Sequence, residues 1–102
     1  MRFTLEPKHA TETVIVKPDF GTLLAVGETL SSAVTTSVVY SGTDASPSSV
    51  ISGAATTSGT VVTQTLTGGT AGVTYLITVS VVTSLGQTRE MAGYLTITPA
   101  TL

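Results

Sequence analysis

Three glycines in "LTGGTAGVTY" (Gly68, Gly69 and Gly72) raise the first chemical question. Backbone N–H groups freed by glycine can cradle a phosphate. A phosphate loop also needs a lysine after the glycines and a helix whose N-terminus faces the anion. No lysine follows here, and the next residues, "VTYLITVSVV", alternate as a strand does. The glycines are therefore read as a turn.

Nucleophilic catalysis needs a base beside the nucleophile. His9 is the single histidine, and it lies in an extended lead-in to the first strand. No serine sits in a Gly-x-Ser-x-Gly elbow. Glu6, Glu12, Asp19, Glu28 and Asp44 lie in lead-in and turn positions, leaving Glu90 as the one later carboxylate. Paired carboxylates would need a cleft that a small β domain rarely supplies. One histidine with no cysteine builds no zinc site, and no Asp-x-Asp series offers a calcium loop. The expectation is a protein without catalytic residues, cofactors or metal.

Composition narrows the partners. A chain of 102 residues is one domain with a single modest core. A net charge of −2 and four basic residues give no electrostatic basis for binding nucleic acid or an anionic membrane. The N-terminus lacks the apolar run of a secretory signal, and no stretch approaches the roughly 20 apolar residues of a membrane span. Charged residues make up 10% of the chain, against about 25% in ordinary soluble domains. None lies between Asp44 and Arg89. Such a surface suits a protein held in an assembly.

The elements that would position any site are strands. Thr and Val branch at Cβ and favour extended backbone. Turn signals recur at Pro18–Gly21, Gly27–Glu28, Ser41–Pro47, Gly53–Gly59, Gly68–Gly72 and Leu85–Gln87. Between them, strands are expected at Thr13–Lys17, Ser32–Tyr40, Ser48–Ser52 (weak, at an edge), Thr60–Leu66, Val73–Ser84 and Gln87–Thr98. Val62, Gln64 and Leu66 share one face, as do Tyr75, Ile77, Val79 and Val81. "SLGQ" makes the last two strands a hairpin. The class is all-β: a single Ig-like or fibronectin III-like antiparallel β-sandwich over residues 11–102, with an extended N-terminal arm over 1–10. Leu66, the glycine turn and Tyr75 have the layout of a tyrosine corner, in which the hydroxyl reaches back to backbone upstream. Sugar recognition would need exposed rings, and Tyr40 at a strand end is the obvious one.

Two blocks, "VIVKPDFGTLLAVGETLSSAVTTSVV" and "LTGGTAGVTYLITVSVVTSLGQTRE", resemble the fibre–tail adaptor proteins of tailed bacteriophages, small Ig- or fibronectin-like virion proteins. The resemblance runs over about residues 12–98 and includes Gly27-Glu28-Thr29-Leu30 and the Gly68–Tyr75 stretch. Where the family often carries a tryptophan after the first strand, this chain has Phe20 and Leu23–Leu24. The resemblance implies a non-enzymatic adaptor in the virion, made in the host cytoplasm, with several copies in a ring at the neck or tail. Its partners would be neck or tail ring proteins and tail fibres. The docking surfaces expected are the arm (Met1, Arg2, Phe3, Leu5) and the Ser- and Gly-rich 41–59 loop with Tyr40 and Pro47, mobile until a partner orders it. A capsid decoration protein and a free Ig-like module for carbohydrate remain as alternatives. Against the free module, the chain starts with Met, lacks a signal and stops just after its last strand.

Overall fold

The computed structural model describes residue 3 and residues 5–98. The described residues form seven strands: β1 (Lys8–His9), β2 (Val14–Val16), β3 (Leu30–Ser41), β4 (Ile51–Ser58), β5 (Val61–Leu66), β6 (Thr74–Thr83) and β7 (Thr88–Thr98). They form a four-stranded sheet in the order β1-β7-β6-β3 and a three-stranded sheet in the order β2-β5-β4. The two sheets pack face to face as a β-sandwich.

The alternation seen in the sequence sets the core. Tyr75, Ile77, Val79 and Val81 of β6 are all buried, as are Met91, Leu95 and Ile97 of β7 and Val62, Gln64 and Leu66 of β5. Period-2 patterning puts each of these sets on one face of its strand. Phe20, which follows β2, fills the space between the sheets beside Val62, Val79 and Met91. The β6–β7 hairpin turns where Gly86 takes a positive φ of 79°.

One expectation from sequence is corrected. The weak strand at Ser48–Ser52 begins instead as a 3-10 turn over Pro47–Val50, and β4 continues to Ser58 through the stretch read as a mobile loop. A glycine-containing, apolar-poor segment looks like a loop, yet it pairs with β5 across a register shift between Ser52 and Thr56. Gln64, buried in β5, holds that irregularity: its Nε2 donates to the carbonyls of Ser52 and Gly53 at 3.1 and 3.2 Å. As expected, every strand pairing within residues 11–98 is antiparallel, while β1, in the N-terminal arm, pairs with β7 in parallel, Lys8 opposite Ile97 and His9 opposite Thr98.

Candidate functional site

The outer face of the four-stranded sheet is the most unusual surface of the molecule. On β3 both faces mix apolar and hydroxyl side chains, with Leu30, Ala33 and Val39 packed on the core. The inward positions include Thr35 and Ser37, whose buried hydroxyl oxygens have no hydrogen-bond partner among the described residues. The outward positions carry Val34 at 62% exposure, Val38 at 52% and Tyr40 at 63%. Val38 lies opposite Leu76 of β6, and Leu76 opposite Tyr94 of β7. Tyr94 is 42% exposed, and its ring packs on that of Tyr40 with centroids 4.5 Å apart and planes tilted by 54°. This geometry lies within the range of favourable aromatic pairs.

A second surface lies on the opposite side, where the N-terminal residues meet β2. Phe3 and Leu5 are half-buried and pack against the core. The Phe3 N–H donates to the Ala92 carbonyl at 3.0 Å, and Lys8–His9 extend this run along β7. Gly93 makes the approach possible, because a Cβ there would sit 2.5 Å from the Phe3 carbonyl oxygen. Lys8 is only 2% exposed. Its Nζ donates to the carbonyls of His9 (2.9 Å), Glu12 (2.8 Å) and Gly68 (2.6 Å). Burial pushes the Lys8 ammonium below its ordinary pKa, against the pull of the Glu12 carboxylate. Between these residues and β2 runs a groove of about 630 Å³.

The glycine turn between β5 and β6 presents a carbonyl, that of Gly68, to a cation. That polarity is opposite to the one a phosphate cradle requires. Its other neighbour is Tyr75, at 0% exposure alongside Leu66. The Tyr75 hydroxyl accepts the Thr70 N–H at 2.9 Å and donates to Asp44 Oδ2 at 2.5 Å. That bond, with the Ser46 N–H second, holds the Asp44 carboxyl below its usual range. Burial, with Asp44 second, pushes the Tyr75 hydroxyl up.

The remaining candidates are occupied locally. The His9 ring Nδ1 lies 3.0 Å from Thr98 Oγ1, and the His9 N–H donates to Glu12. Asp19 accepts from the Gly21 N–H and Thr60, and Glu28 accepts from the Ala25 N–H. These acids tie down turns. Among the described residues no three of His, Asp and Glu gather where they could hold a metal, and no helix is long and apolar enough to cross a membrane.

Of the residues singled out from sequence, Met1 and Arg2 lie outside the described residues. Phe3 and Leu5 line the groove, Tyr40 lies on the outer face, and Pro47 opens the 3-10 turn before β4. The structure joins Tyr40 to Tyr94 of β7. The signal was the spacing Val34, Val38, Tyr40, which puts three large side chains of β3 on one side of the strand. The model of the family described as podophage GP4 fiber-tail adaptor protein gp77 matches residues 8–96, nearly the whole described chain.

The chain belongs to this fibre–tail adaptor family. No curated protein matches the adaptor's sequence. The matched span begins at Lys8, so it takes in the buried lysine, both sheets and both tyrosines of the outer face.

Proposed function

We propose that this adaptor is a non-enzymatic structural protein of the virion that joins neck or tail proteins to fibres, with several copies arranged in a ring. The family match supports the role. The single observation that carries the choice of surface is on β3, where Val34, Val38 and Tyr40 face outward while the hydroxyls of Thr35 and Ser37 are buried without a partner among the described residues. A solvent-facing strand normally has the reverse pattern. An exposed apolar patch centred on paired aromatics matches the make-up of protein interface cores. The outer face would meet a tail protein, and Tyr40 with Tyr94 would anchor it. An Ig-like reading of the sandwich is supported by the strand orders β7-β6-β3 and β2-β5-β4, which correspond to GFC and BED of that fold.

The test is quantitative mass spectrometry of gradient-purified particles, scaled to the major capsid protein. A closed ring predicts on the order of six to a few dozen copies per particle. Hundreds of copies would make the chain a capsid decoration protein. Absence from particles would overturn the structural role and return the free binding module.

A further inference from the structure

The groove beside β2 joins an open strand edge to a cavity with an apolar floor and an acidic rim. Among the described residues β2 pairs only with β5, and none lies on its other side within the sheet. The pairing shows which backbone groups are free. Val62 donates to the Pro18 carbonyl and Phe20 to the Thr60 carbonyl, and Val14 and Val16 lie opposite Leu66 and Gln64 in the same register. In an antiparallel ladder the bonding residues alternate along the strand. The even-numbered residues therefore bond β5, and Ile15 and Lys17 turn their N–H and C=O groups outward. The Ile15 side chain is 61% exposed. From Thr13 to Pro18 this edge runs about 20 Å at about 3.3 Å per residue.

The walls of the groove differ by chemistry. Its apolar lining is Phe3, Leu5, Val14, Val16 and Leu95. Among the described residues, its charged lining includes the exposed acids Glu6, Glu12 and Asp19 against one exposed base, Lys17. The other lysine, Lys8, has its ammonium committed to three carbonyls. An unpaired edge beside an apolar floor and an acidic rim suits an extended chain, which takes main-chain bonds from the edge and places alternate side chains down and out.

We infer that the groove receives an extended segment of a partner virion protein, added as a strand along β2, with apolar and basic residues in alternation. The inference rests on the adaptor reading only for the source of the partner. Main-chain bonds to Ile15 and Lys17 hold the segment. Phe3 and Leu5 take its apolar side chains, and Glu6 and Glu12 take the basic ones. The rim charges make the binding weaken with salt.

The probe is an array of overlapping synthetic peptides covering the phage's virion proteins, with hits measured against the full chain by fluorescence anisotropy. The expected hit is a basic, alternating segment that protects the Ile15 and Lys17 amides from hydrogen exchange. Ile15→Pro removes one outward N–H while leaving the bonds to β5, as proline is tolerated on an open edge. It should weaken the hit by at least about tenfold without shifting the thermal melt. Should Ile15→Pro unfold the chain, the charge reversal Glu6→Lys, at an exposed rim position, tests the same groove by the same loss. No peptide hit, an acidic hit, or a hit indifferent to these variants overturns the inference. So does a chain that dimerises with the Ile15 and Lys17 amides already protected, which would make a second copy the occupant. A chain present at ring stoichiometry in particles but without a groove ligand sinks this inference alone and leaves the adaptor role standing.

Discussion

The Lys8 ammonium lies 2.6 Å from the carbonyl oxygen of Gly68, sixty residues further along the chain. This bond ties the N-terminal run to the turn between β5 and β6, and it explains why a lysine can be buried in so small a protein. Three carbonyls surround the charge and replace its water. The same arrangement holds one wall of the groove in place.

Lys8→Met keeps the length of the side chain and deletes the donor. The carbonyls of His9, Glu12 and Gly68 lose a charge-assisted partner, a loss of about 2–3 kcal/mol. Thermal unfolding followed by circular dichroism should show a midpoint lower by roughly 10 °C. A midpoint within about 2 °C of the parent would show that the bonds contribute little to stability.

Gly93→Ala tests the same seam from the other side. The added Cβ meets a backbone oxygen, that of Phe3, which cannot rotate away as a side chain would. We expect a stability loss of about 1–3 kcal/mol and faster hydrogen exchange at the Phe3 amide, while the amides of β6 keep their protection. Unchanged exchange at Phe3 would contradict the close approach. Gly69→Ala should cost as much by a different route, because its φ is +97° and its Cβ would lie 2.8 Å from Ile97.

The Asp44–Tyr75 bond gives the fold an acid limit. A carboxylate whose folded pKa is lowered stabilises the fold fully above its unfolded value, about 3.9, and the contribution is lost as pH falls through the folded value. Tyr75→Phe removes the largest cause of that lowering. The acid-unfolding midpoint should therefore move to higher pH, and a titration followed by circular dichroism reads it directly. Parent and variant midpoints that coincide would show that the bond does not set the acid limit.

Substituting Tyr40 and Tyr94 together by serine separates docking from folding. Both rings are substantially exposed, so stability should stay within about 0.5–1 kcal/mol of the parent. The copy number in purified particles should fall at least about tenfold, because truncated aromatic anchors dominate interface energies. Particles that fill normally with the double variant would move the docking site elsewhere.

Much of the fold could be read because Val, Ile and Leu alternate so regularly in β6 and β7 that face and hairpin follow together. β4 was hidden for the opposite reason. Its residues Gly53, Ala54 and Ala55 bury little, and the strand depends on pairing with β5 and on a buried glutamine from that neighbour. β1 was hidden because a two-residue strand has no period, and its inward residue is a lysine. The site was half legible. Tyr40 stands out at a strand end, but its contact with Tyr94 depends on the register of three strands, which no local pattern encodes. The outward N–H groups of β2 were out of reach altogether, since their direction follows from which residues bond β5.

The parallel run of the N-terminal residues beside β7, described above as packing, has a mechanical meaning. A pull that draws the residues before Lys8 and those after Thr98 in opposite directions acts along both strands. Their cross-strand contacts, from Phe3–Ala92 to His9–Thr98, are then loaded in shear, all at once and not one after another as in unzipping. A protein strung between a tail and a fibre, and tugged from its two ends, would carry the load on its strongest axis.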